Sequence, residues 1–116
     1  MAFYTAPSIP ATLSSPHVEG VSHNLAIIHW IVVRPAYTPE TYYVEYRRHT
    51  DSGTSQIFVS PSINGTSDLT ITNTEYDIVL KDLDSDTNYV ANIVSTNGFG
   101  ERTSEDLVFR TNPSGI

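Results

Sequence analysis

The sequence predicts an all-β protein, a two-sheet antiparallel β-sandwich of about seven strands, and three observations point there. Tyrosine, threonine, valine and isoleucine dominate, while alanine, lysine, glutamate and leucine are sparse, a balance that favours strands over helices. No window sustains apolar residues at i, i+3, i+4 and i+7 over the length a helix needs. Turn signals (Ser-Pro, Asp-Ser-Gly, Asn-Gly and Asn-Pro) recur at short intervals, as short strands linked by tight turns require.

The first strong strand is expected at residues 25–33 (LAIIHWIVV). Ala26, Ile28 and Trp30 share one face, and Leu25, Ile27, His29 and Ile31 the other. Both faces are therefore largely apolar. Arg34-Pro35 ends this strand, because proline cannot donate to a ladder. Residues 41–48 (TYYVEYRR) alternate cleanly, with Tyr42, Val44 and Tyr46 inward against Tyr43, Glu45 and Arg47, as in an antiparallel strand with one wet side. Asp51-Ser52-Gly53 then turns the chain into a short strand at residues 56–59.

Residues 60–74 are polar and rich in turn formers, and two readings stand. Asn64-Gly65 suits a type I′ hairpin turn between residues 57–63 and 66–72. Alternatively the stretch is a long irregular segment whose Pro61 keeps it at a sheet edge. Beyond it, Tyr76, Ile78 and Leu80 line one face of a strand at residues 76–80, with Asp77 and Val79 on the other. An acidic turn at residues 81–88 leads to a strand at 89–97, the Asn97-Gly98-Phe99-Gly100 turn follows, and residues 106–111 form the last strand. His17 and His23 fall in a loop region on this reading, and His29 points outward.

These residues also carry a pattern. Leu83-x5-Tyr89 resembles the tyrosine corner of fibronectin type III domains, with Thr87 at the usual threonine and Ser85 in place of the usual proline. Tyr89-x-Ala91-x-Ile93-x-Ser95-x-Asn97-Gly98-x-Gly100 is similar to that family's run along its sixth strand. Trp30, Tyr42-x-Val44-x-Tyr46-Arg47, Pro10-x-x-Leu13 and Phe109-x-Thr111 match its second strand, third strand, opening and close. The resemblance implies an immunoglobulin-like sandwich of fibronectin type III topology. It divides the chain into a leader at 1–9, a domain at 10–111 with a long edge segment at 60–74, and a linker at 112–116. Trp30, large enough to fill the space between sheets about 10 Å apart, and the Leu83–Tyr89 corner become its structural residues. The corner is expected to offer the Tyr89 hydroxyl a backbone acceptor near Leu83.

Composition removes several functions. The 116 residues carry 13 acidic and 6 basic side chains for a net charge of −7, against the clustered Lys and Arg that nucleic acid requires. The chain has no cysteine, so it has no disulfide framework, thiolate zinc site or cysteine nucleophile. No apolar run approaches the roughly 20 residues of a membrane helix, and the first ten residues lack the features of a secretory signal. No nucleophile elbow, phosphate-cradling glycine loop or Arg-Gly-Asp tripeptide occurs. The four histidines, His17, His23, His29 and His49, show no zinc spacing.

Asp82-x-Asp84-x-Asp86-x-Asn88 is similar to the start of a calcium loop, but Thr87 and Ile93 stand where that loop needs glycine and glutamate. It reads as a solvated acidic turn. No catalytic, cofactor-binding or metal residue is therefore expected. Asn64-Gly65-Thr66 is a glycosylation sequon, usable in a secreted chain. The outward residues Leu25, Ile27, Ile31 and Val79, with Phe99 at a loop tip, are the candidate interaction residues. Either they form an exposed patch, or the leader (Phe3, Tyr4) or the 60–74 segment covers them. The expected function is a non-catalytic interaction and spacer module of a multidomain extracellular adhesion molecule or receptor, similar to neural-adhesion types. It would contact proteins or neighbouring domains, reach a membrane only through its parent, and be monomeric in isolation. An intracellular scaffold module and an accessory domain of a secreted enzyme are the alternatives.

Overall fold

The computed structural model describes residues 13–33, 40–49, 56–65, 73–97 and 100–114. Within them lie β1 (Leu13–Val21), β2 (Ala26–Val33), β3 (Thr41–Arg48), β4 (Phe58–Val59), β5 (Ile63–Asn64), β6 (Asn73–Leu80), β7 (Asn88–Thr96), β8 (Glu101–Thr103) and β9 (Leu107–Arg110). No helix is found among the described residues. One sheet runs β1-β2-β6; the other is built on β3 and β7. Every strand pair is antiparallel. Because β4 and β5 both pair with β3, and β8 and β9 both with β7, the elements fill the seven positions of the expected sandwich.

Each edge of the larger sheet is one strand interrupted by a bulge. Tyr42 stands opposite Ile63 but Glu45 opposite Val59, a slip of one residue around Ser60. Val94 stands opposite Thr103 but Ala91 opposite Leu107, the same slip around Ser104. At both places a serine keeps the ladder satisfied. Val44 N–H donates to Ser60 Oγ at 2.9 Å, and Ile93 N–H donates to Ser104 Oγ at 2.8 Å. Neither strand is left with an orphan donor.

The core follows the inward sets of the strands. Trp30 is fully buried and meets Tyr42 and Tyr76 with ring centroids 5.4 and 5.7 Å away. Ala26, Ile28, Val32, Val44, Leu80 and Ile93 complete it. At one end, Tyr89 stacks on Phe109 at 5.6 Å and Leu83 is buried beneath the corner. Thr111 Oγ1 accepts from Thr87 N–H at 2.9 Å and donates to the Asp84 carbonyl at 2.5 Å. The Phe-x-Thr close thus clasps the corner.

Several expectations are corrected. The partner of the Tyr89 hydroxyl is a donor, not an acceptor: Asp84 N–H donates to it at 2.8 Å. Asn64-Gly65 is not a type I′ turn, since neither residue has a positive φ and Ile63–Asn64 pairs along β3. The edge reading of Pro61 holds. Gly65 is needed for space instead, because a Cβ there would lie 2.7 Å from Tyr42 Cε2. His17 is on strand β1, not in a loop. Burial alternates along β1, but its less exposed positions are Ser14, Pro16, Val18 and Gly20, so the sequence shows no apolar alternation; Ser15 adopts φ 51° and the register shifts between Ser14 and His17 and between Val18 and Gly20.

Candidate interaction surface

The outward face of the three-stranded sheet is set by its register. Ile27 pairs with Val79, His29 with Asp77 and Ile31 with Glu75 across β2 and β6. On the other side Gly20 stands opposite Ile27, and His17 opposite His29. The face is therefore banded, an apolar row beside a polar one. Having no side chain, Gly20 leaves a shallow hollow of about 290 Å³ lined also by Val21, Ser22, Leu25 and Ile27.

A larger groove of about 540 Å³ runs between the sheets, where β6 faces the interrupted β4–β5 edge. Val59, Ile63, Ile78, Val79 and Tyr46 line it, with Lys81 and Asp82 at its polar end. Its apolar rim is open to solvent: Val79 is 40% exposed and Val59 57%. Phe58 stacks on Tyr46 at 5.5 Å. Because Val79 borders both the groove and the Ile27 row, one apolar strip continues from β4 around the flank to Leu25.

The polar row contains a second constellation. His29 is 8% exposed, despite being on the outward face, because side chains from both neighbouring strands wall it in. Its Nδ1 lies 2.5 Å from Asp77 Oδ1 and 3.7 Å from Glu19 Oε2, and its Nε2 lies 3.2 Å from Glu75 Oε1. The hydrogen bond to Asp77 raises the imidazole pKa above its ordinary value, assisted by the charges of Asp77, Glu19 and Glu75 and opposed by burial. The His17 ring sits 5.1 Å away. Glu19, His29 and Asp77 bring one ligand atom each within 4.8 Å of one another. Histidine spacing along the chain shows no such set; it is assembled across three strands.

The remaining sequence candidates separate cleanly. Leu25, Ile27 and Ile31 are half-buried, Val79 is exposed, and Trp30, Leu83 and Tyr89 are buried in structural roles. Phe99, Phe3 and Tyr4 lie outside the described residues. Asn64 is exposed on β5, with Thr66 of its sequon outside them. The acidic turn is more than solvated: Asp84 pairs with Arg48 and Asp86 with Arg110, so those carboxylates already have cationic partners.

Sequence reasoning missed Glu40. It is 3% exposed, and its Oε2 accepts from the Tyr42 and Ser95 hydroxyls, both at 2.9 Å. Burial and the neighbouring Glu40 charge hold the Tyr42 hydroxyl far above its ordinary pKa, keeping it a donor. Extending the Tyr42–Val44–Tyr46 alternation back by two residues would have put Glu40 inward.

No protein-family model matches the chain, and no curated protein sequence does. Among solved structures, it is similar to the third fibronectin III domain of the human KIAA0343 protein. The TM-score is 0.69 at 20% identity, covering 100% of this chain and 94% of that one. The domain of human fibronectin type III domain containing protein 3 gives 0.63 at 20% identity, with 95% and 93% covered. The sensor domain of the anti-sigma factor RsgI4 of Pseudobacteroides cellulosolvens gives 0.64 at 16% identity, with 90% and 97% covered. The fold is thus that of a fibronectin type III-like β-sandwich module.

Proposed function

We propose that the chain is a non-catalytic protein-interaction and spacer module of a larger extracellular or cell-surface protein, an adhesion molecule or receptor. The observation that carries this reading is the apolar strip from Val59 through the groove to Val79, Ile27 and Leu25. Contiguous apolar surface of this kind marks a docking site, and a rigid sandwich presents it at fixed geometry. The bulged edges of the larger sheet favour contact through faces and groove over strand addition there. The outward location rests on the resemblance to adhesion-type fibronectin type III domains and on the sequon that begins at the exposed Asn64.

Two experiments test it. An antibody against the module should stain intact cells that carry the natural protein; staining confined to permeabilised cells would contradict the extracellular reading. Val79→Asp should weaken association with the partner or neighbouring domain while leaving the fold intact; unchanged association would contradict the docking role.

A further inference from the structure

We propose that Glu19, His29 and Asp77 form a binding site for a divalent transition cation, Zn²⁺ being the ion its donors suit best. The donor set is one imidazole nitrogen and two carboxylate oxygens, all within 4.8 Å of one another. Zinc accepts such mixed ligands at about 2.0–2.2 Å, so modest side-chain rotations close the set around one ion. Calcium and magnesium prefer oxygen throughout. The ligands stand on three adjacent strands, β1, β2 and β6, which fixes their backbone spacing.

Two further observations, independent of the ligand distances, point to a cation. The first concerns orientation. Metal-binding histidines commonly donate their second ring N–H to a carboxylate or carbonyl. His29 Nε2 faces Glu75 Oε1 at 3.2 Å, which leaves Nδ1 directed at Asp77 and Glu19. The adjacent His17 donates its Nδ1–H to the Ser15 carbonyl at 2.7 Å, and its ring lies 5.1 Å from that of His29. The second concerns charge. Glu19, Glu75 and Asp77 surround one nine-tenths buried imidazole. Among the described residues no lysine or arginine pairs with them. Even with the imidazole protonated the group keeps a charge of −2, which a divalent cation cancels.

The test uses the 116-residue chain, stripped with a chelator and titrated with ZnCl₂ by calorimetry, with the thermal midpoint followed in parallel. The expected result is one Zn²⁺ per chain, a raised midpoint, and no response to Ca²⁺. Asp77→Asn and Glu19→Gln change exposed carboxylates and should retain the fold by circular dichroism while weakening Zn²⁺ about tenfold or more. His29→Gln should abolish the site, whereas His23→Gln and His49→Gln should not touch it. If His29→Gln does not fold, the carboxylate variants decide. Absence of Zn²⁺ binding at millimolar concentration, or affinity unchanged in the folded Asp77→Asn/Glu19→Gln double variant, would overturn the proposal.

Discussion

Ser60 and Ser104 occupy equivalent places on opposite edges of the larger sheet, in the row that pairs Val44 with Ile93. Each interrupts its strand with a bulge, and each side chain accepts the inner neighbour's N–H, from Val44 and from Ile93. Each serine's own N–H also donates back, Ser60 to the Val44 carbonyl at 2.9 Å and Ser104 to the Ile93 carbonyl at 2.8 Å. Neither edge therefore offers a long, regular ladder to another strand. Ser60→Ala and Ser104→Ala should each cost about 1–3 kcal/mol, since each orphans a backbone donor. Urea unfolding measures this, and the double variant should show near-additive losses. No loss in either would mean that water replaces the hydroxyl.

Gly65 is expected to resist even alanine. The added methyl would press on Tyr42 Cε2 at 2.7 Å and on the Glu40 carbonyl at 3.2 Å, and Tyr42 is held between Trp30 and Tyr76. Overpacking of this kind costs about 1–3 kcal/mol. A lowered thermal midpoint in Gly65→Ala checks it; an unchanged midpoint would show that the ring yields freely.

The corner separates a buried contact from an exposed one. Tyr89→Phe removes the oxygen that receives Asp84 N–H, a loss of about 1–3 kcal/mol for a backbone donor left without its partner. Arg48→Ala breaks the ion pair to the same residue, Asp84. Both of those side chains are about half exposed, and such pairs contribute less than about 1 kcal/mol. Denaturant midpoints should fall clearly for the first variant and little for the second. The reverse order would place the corner's stability in its charges.

Trp30→Ala should be the most damaging single change. Emptying the space of a fully buried tryptophan costs roughly 3–5 kcal/mol, a large part of the 5–15 kcal/mol that typically holds a domain together. Loss of cooperative unfolding in a calorimetric scan is the expected readout. Retention of a sharp, near-wild-type transition would contradict the placement of the core.

The strands with period-two alternation, β3 and β6, were legible in the sequence because one face of each is buried and register is then strongly specified; β7 was legible from its Tyr89–Gly100 run, although Val90 and Val94 on its other face are buried too. So was the outward row of Leu25, Ile27 and Val79. β1 and β8 were not, because their less exposed positions hold Ser14, Pro16, Gly20 and Arg102 where such reading looks for apolar side chains. The His29 cluster was invisible for another reason. Glu19 and Asp77 are 10 and 48 residues from His29 along the chain, and only pairing across β1, β2 and β6 brings them together. Register, not spacing, makes that site.

The docking role of the apolar flank is tested most directly by a photo-crosslinking side chain placed in turn at Val79, in the strip, and at Val108. Val108 is 62% exposed on β9, outside the strip. On cells carrying the natural protein, the expected result is a specific protein adduct from position 79, abolished by an added Ile27→Asp, and none from position 108. Equal labelling from both positions, or labelling from 108 alone, would contradict it.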